Sequence, residues 1–277
     1  MTFSIVARSG AAHGVAVASK FLAVGSVVPA VDARGAVATQ AWARTAYKQE
    51  LLELLAKGVE TSTALDQATS ADEGREARQV GVVGPSGPAT FTGADATPWC
   101  GGRTGEDGAD AYAIQGNILV GEEVVLEMEQ QWLRGAHLPF ADRLAQVLLA
   151  GDRAGGDRRG RQSAALLAYS PGTGYDDSGV LADLRVDDHD DPVPELIRLL
   201  DLQDLYLGRP TTVLRLQGNL AEEVAARLQA TGRRTEDVSA ALADWAGVEN
   251  LEMRLTDDGI DARVLQVLRE RTGELPT

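Results

Sequence analysis

A threonine directly behind the initiator methionine is the first pattern in this chain with chemical content. Thr2 opens an apolar run rich in β-branched residues, Thr2–Arg8. A short polar and glycine-containing segment separates it from a second run, Gly14–Lys20, and the pair reads as a β-hairpin. Removal of Met1 is expected because Thr is small. It would leave Thr2 with a free α-amino group beside its own hydroxyl, so that one residue supplies both nucleophile and base. The amine suits that task, since its unperturbed pKa is about 7.7–8.0. The same residues also describe a chain that simply begins Met-Thr and enters a first strand.

Three further constellations could act beside it. Gly155–Ser163 is a glycine-rich loop dense in charge that runs into an apolar strand, and such strand mouths bind polar groups. Within it, Asp157 and Arg159 can pair to position a carboxylate or amide, and Gln162 and Ser163 can help to orient substrate; a solvated turn is the plain alternative. Gln115 and Asn117 stand at a strand end, where an amide can donate to a developing oxyanion, although Asn also favours turns. Asp187, Asp188 and His189 are the weak candidates for a metal site; helix capping before Pro192 and pairing with Arg185 explain the same acidic run. Small residues in the expected strand Gly35–Ala41 allow close approach of a ligand, which makes Thr39 and Gln40 candidate contacts. Cys100 is the single cysteine and reads as a passive thiol, because no base adjoins it. His13, in the hairpin turn, and His137 have no partner along the chain. Phosphate-cradling, dinucleotide, HExxH and GxSxG motifs are absent from the sequence.

The elements that must position these residues alternate in blocks. Strands come first, then helices near Tyr47–Lys57 and from Thr61 to about Asp72. Strands at Gln79–Val83, Ala89–Thr92 and Tyr112–Asn117 follow, with Gly93–Asp110 read as a loop. Helices over Glu122–Leu133 and from Pro139 to Gly151 lead to strands Ser163–Tyr169 and Leu184–Val186 and a helix from Pro192. Hairpin connections dominate over regular β-α-β alternation, which indicates an α+β protein with antiparallel sheets and separate helical layers. The last 65 residues or so differ: amphipathic helices are expected at Leu220–Ala230, Thr235–Trp245 and Ile260–Arg271. The expected division is residues 1–208 and 212–277.

Composition narrows the functional classes. A chain of 277 residues, 44% hydrophobic, can bury one large core or two smaller ones. No apolar run approaches the roughly 20 residues of a membrane span, and the start lacks the pattern of a signal peptide, so a cytoplasmic location is expected. A net charge of −15 argues against nucleic acid and anionic membranes as partners.

Taken in order, MTFSIVAR, GVAVASKFLAVGSVVP, GAVATQA, QVGVV, YAIQGNILVG, GGDRRGRQSAALL and DLRVDDHDDPV resemble the uncharacterised DUF1028 family over roughly residues 2–200. The resemblance implies the N-terminal-nucleophile (Ntn) hydrolase fold, a four-layered αββα sandwich of two antiparallel sheets. It implies Thr2 as nucleophile and no cofactor. Lys20 falls near it by hairpin length, where like-charge repulsion would lower the amine pKa; an exposed strand end is the equal alternative. Ser9 stands where the family usually has Asp, and Ala96 where it often has Cys. The tail, with Glu249–Arg254 and Ile260-Asp261, resembles a peptidoglycan-binding-like domain. The expected activity is hydrolysis of a small amide or peptide-like substrate by Thr2, with Lys20 and Asn117 assisting; the oligomeric state is left open, a homo-oligomer being frequent among Ntn relatives. The alternatives are a non-catalytic binding protein on the same scaffold and a metal-dependent hydrolase centred on Asp187, Asp188 and His189.

Overall fold

The computed structural model describes residues 2–96, 99–257 and 259–274. Met1, on whose removal the free amine depends, lies outside the described residues. The chain divides into two units, one ending at Leu200 and the other beginning at Asp201.

The first unit starts with the hairpin β1 (Thr2–Ser9) and β2 (Ala12–Ser19). Ser9 pairs with Ala12 across a two-residue turn in which Gly10 takes φ +58°, a value that Gly adopts without a Cβ penalty. His13 therefore lies in β2 and not in the turn. Next come α1 (Val24–Val27), β3 (Pro29–Asp32) and β4 (Gly35–Ala41), then α2 (Ala46–Ala56) and α3 (Thr61–Ser70). β5 (Arg78–Gly84), β6 (Gly87–Thr92), β7 (Cys100–Asp107) and β8 (Asp110–Asn117) follow. The unit continues with α4 (Glu123–Arg134), α5 (Phe140–Arg153), β9 (Ser163–Tyr169), β10 (Val180–Val186) and α6 (Pro192–Leu207), in which the division falls.

The strands form two antiparallel sheets, a larger one in the order β10-β9-β2-β1-β8-β7 and a smaller one in the order β3-β4-β5-β6. Alternation along each strand sorts the core into layers. Phe3, Ile5 and Ala7 of β1 pack with Met128, Trp132, Leu144 and Leu148 of α4 and α5. The opposite face contributes Val6, which packs with Val15, Val17, Ala36, Ala38 and Val83, residues drawn from both sheets. The far face of the smaller sheet, with Val37, Val80 and Val82, is covered by Leu51, Leu55 and Leu65 of α2 and α3.

One expected loop is a strand. β7 lies within Gly93–Asp110 and occupies the edge of the larger sheet, largely exposed. An edge strand needs a partner on one side only, so glycine and charge are tolerated there. Gly105 lies under the ring of its cross-strand partner Tyr112: a Cβ there would be 2.4 Å from the phenolic oxygen. Cys100 begins this strand, and burial pushes its thiol pKa up, away from thiolate chemistry.

The second unit holds β11 (Val213–Arg215), α7 (Asn219–Ala230), α8 (Val238–Val248), β12 (Gly259–Asp261) and α9 (Ala262–Thr272). Its core gathers Leu228, Leu242, Trp245, Leu265 and Leu268. β11 and β12, far apart in the chain, form a short antiparallel pair that the sequence does not announce. Arg254, fully buried, donates to the carbonyls of Asp204, Leu205 and Arg209 and pairs with Asp204 and Asp261. Among the described residues, no helix is long and apolar enough to cross a membrane.

Candidate functional site

Thr2 is buried at the head of β1, and its parity with Val6 turns it toward the space between the sheets. The hairpin register, extended by one pair beyond Phe3–Ala18, sets Thr2 opposite Ser19, and the two hydroxyl oxygens are 3.1 Å apart. On its other side Thr2 pairs with Asn117 of β8. The carbonyl of Thr2 accepts from the Gln40 side-chain amide at 3.3 Å. Three strands from two sheets thus meet at this residue.

Around it lies a chain of buried polar side chains, Ser4, Gln40, Gln79, Gln115 and Asn117, whose orientations follow from one another. Gln79 Nε2 faces the carbonyls of Gly101 (3.2 Å) and Gly116 (2.8 Å). Carbonyls only accept, so this end of Gln79 must be nitrogen and its Oε1 must accept. Oε1 receives Gln40 Nε2 at 2.8 Å and Asn117 Nδ2 at 2.9 Å. The Gln40 oxygen then accepts from the Ser4 hydroxyl at 2.7 Å, which leaves Ser4 Oγ to accept from Gln115 Nε2 at 2.6 Å. Two buried oxygens end the chain with no hydrogen-bond partner among the described residues: Gln115 Oε1 and Asn117 Oδ1. Gln115 lies against Gly81 of the facing sheet, where a Cβ would be 2.1 Å from Oε1.

Beside the strand ends is a cleft of about 460 Å³, lined by Phe3, Ser19, Asp152, Asp157, Arg161 and Asp190 among others. Ser19 belongs both to this cleft and to the contact with Thr2. Arg161 grips buried Asp152 through Nε (2.8 Å) and Nη2 (2.9 Å), and that hydrogen bonding raises the guanidinium pKa.

The other expected site residues have different tasks. Lys20, one residue past the buried Ser19, is exposed, and its Nζ donates to the carbonyl of Arg161 at 3.1 Å. β2 ends at Ser19, so Lys20 lies just past the strand, with its ammonium held by the loop that precedes β9. Thr39 packs on the helix side of β4, opposite to Gln40, and exchanges hydrogen bonds with the backbone of Arg44. Asp157 and Arg159 do pair, at 3.2 Å. Asp157 Oδ2 also accepts the backbone N–H of Lys20 at 2.7 Å, so this carboxylate ties the loop to β2. Gln162 donates to Asp188 at 3.0 Å. Ser163 donates to the carbonyl of Phe21 and accepts the N–H of Val24. Asp187, Asp188 and His189 are exposed and do not converge: His189 Nδ1 accepts the Asp191 N–H. Among the described residues, no group of three or more His, Cys, Asp or Glu side chains is placed to hold a metal ion.

Sequence reasoning missed Ser4, Ser19 and Gln79. Ser19 could have been found from the hairpin register alone. Ser4 and Gln79 follow only once two sheets are known to face each other.

No curated protein matches the chain. A crystal structure of protein SPO2555 from Silicibacter pomeroyi, itself matched to DUF1028, is similar with a TM-score of 0.64 at 29% identity; the match covers 80% of this chain and 89% of that one. Residues 206–268 match the model described as "Putative peptidoglycan binding domain". Residues 2–196 match the model of the family of unknown function DUF1028, and the chain belongs to that family.

Proposed function

We propose that this protein is an Ntn-type amidohydrolase acting on a small amide or peptide-like bond, with Thr2 as nucleophile once Met1 is removed. The succession of α4 and α5, the larger sheet, the smaller sheet, and α2 and α3 supports reading the first unit as an αββα sandwich of that class. The observation that carries the proposal is Asn117 Oδ1, a buried acceptor without a donor on the strand partner of Thr2. A free α-amine is the donor such a site lacks, and an orphaned buried acceptor costs about 1–3 kcal/mol. In this reading Asn117 Oδ1 holds the amine, while its nitrogen gives one N–H to Gln79.

In the reaction, Thr2 Oγ1 attacks the carbonyl carbon and its proton passes to the α-amine. Collapse of the tetrahedral intermediate breaks the C–N bond, and the departing amine takes that proton. Water then adds to the threonyl ester and releases the carboxylic acid and the free hydroxyl. Ser19 Oγ, 3.1 Å from Thr2 Oγ1, orients the hydroxyl.

The test is an amidase panel on full-length protein whose N-terminus has been verified by intact mass. Turnover should rise with pH as the amine loses its proton, should vanish in Thr2→Ala and should persist at a reduced level in Thr2→Ser. Turnover unchanged in Thr2→Ala, or an active protein that retains Met1, overturns the proposal.

A further inference from the structure

Exposed large apolar residues are ordinary on a surface when scattered singly. In the first unit more than half of them follow the strand ends that meet at Thr2. Among the described residues, Phe21, Leu22, Trp42 and Val120 are four of the seven large hydrophobic side chains exposed there. Each lies within three residues of a side chain already placed around Thr2: Phe21 and Leu22 follow Ser19, Trp42 follows Gln40, and Val120 follows Asn117.

The backbones of three of them, Phe21, Trp42 and Val120, are pinned. Ala41 is held at φ +65°, a conformation that costs a non-glycine residue energy and persists only when its surroundings enforce it. The next N–H, that of Trp42, donates to the carbonyl of Ala77 at 3.1 Å, and the Trp42 carbonyl accepts from Arg78 Nη1 at 2.6 Å. Arg78 is held by Asp72, and Asp72 also accepts from the hydroxyl of buried Tyr47. Thr39 braces the same loop from the other side through Arg44. The Trp42 side chain is nevertheless 76% exposed. Phe21 is fixed through its carbonyl by Ser163. The Val120 N–H donates to Gly156 O at 3.3 Å, and its side chain lies against Gly155, where a Cβ would come within 2.7 Å. Apolar groups on a rigid backbone pay little ordering entropy when they are covered.

We propose that these four residues form a specificity rim, with Trp42 as its anchor, that selects amides bearing a large apolar group on the acyl side of the scissile bond. The charged cleft beside Ser19 would take the polar remainder of the molecule. The inference rests on the amidohydrolase reading for the direction in which the substrate is presented, and its binding component is measured without turnover.

Full-length Thr2→Ala protein is titrated calorimetrically with N-acetyl-L-phenylalaninamide and with N-acetylglycinamide, which differ only in the apolar group. The phenylalanine compound should bind at least tenfold more tightly. Trp42→Ser, shown to be folded by circular dichroism, should lose most of that preference, and Trp42→Phe should restore it. Equal affinity for the two amides, binding of neither, or a preference unchanged in Trp42→Ser overturns the rim. Discrimination in binding together with no hydrolysis by the wild type removes the amidohydrolase reading and leaves the rim standing.

Discussion

Gln79 is the hinge of the polar chain between the sheets, and replacing it by leucine measures what that chain contributes. The leucine has similar volume and no hydrogen-bonding atoms, so both donors that end on Gln79 Oε1 lose their acceptor. Gln40 Nε2 retains longer contacts to the carbonyls of Thr2 and Gln115, at 3.3 and 3.4 Å, and its loss is at the small end, about 1 kcal/mol. Asn117 Nδ2 has no second hydrogen bond to fall back on among the described residues, and stranding it costs about 1–3 kcal/mol. The sum is about 2–4 kcal/mol, a large share of the 5–15 kcal/mol typical of a folded domain. Urea unfolding at pH 7, followed by tryptophan fluorescence, reads this directly. Gln49→Leu, on the exposed face of α2, is the control and should stay within about 0.5 kcal/mol. Gln40→Leu combined with Gln79→Leu should cost less than the two separately by about 1 kcal/mol or more, since each removes the other's partner. A loss below about 1 kcal/mol in Gln79→Leu, or strict additivity in the cycle, would refute the argument that one amide sets the orientation of the others.

Other regions give equally specific expectations. Both ring nitrogens of His13 are buried without partners, and burial, then Arg8, lowers its pKa, partly opposed by Asp32. The folded state thus holds His13 neutral, and stability is fully present above the unfolded value of about 6.5 and lost as pH falls below it; urea midpoints between pH 7 and 5 should decline, and His13→Leu should raise and flatten them. Gly105→Ala must displace the Tyr112 ring and should cost about 1–3 kcal/mol by thermal unfolding. Arg254→Ala removes the buried cation paired with Asp261, leaving that carboxylate, among the described residues, only the backbone N–H groups of Thr211 and Arg263, and should cost about 3–5 kcal/mol, seen by hydrogen exchange as faster labelling of residues 204–209 and 259–262.

What the sequence made legible, and what it hid, follows from how strands use their two faces. The hairpin was legible from its two apolar runs, but its register was not: the turn holds only Gly10 and Ala11, which carries His13 into β2 and sets Ser19 beside Thr2. The same rule divides one expected pair: Thr39 and Gln40 are neighbours on β4 and cannot both face Thr2. Ser4 and Gln79 were hidden for a different reason. A polar residue alternating with apolar ones reads as the wet face of a half-buried strand, yet here that face meets a second sheet and the amides are dry. What separates the two cases in the chain is the facing position: Gly81 sits where any side chain would strike Gln115. A glycine in the middle of a strand marks close approach by something, and here the thing approaching is a glutamine from the other sheet. The proposed chemistry depends on that contact. If the sheets were farther apart, Gln79 would not reach Asn117, and the oxygen held beside Thr2 would be free to turn away.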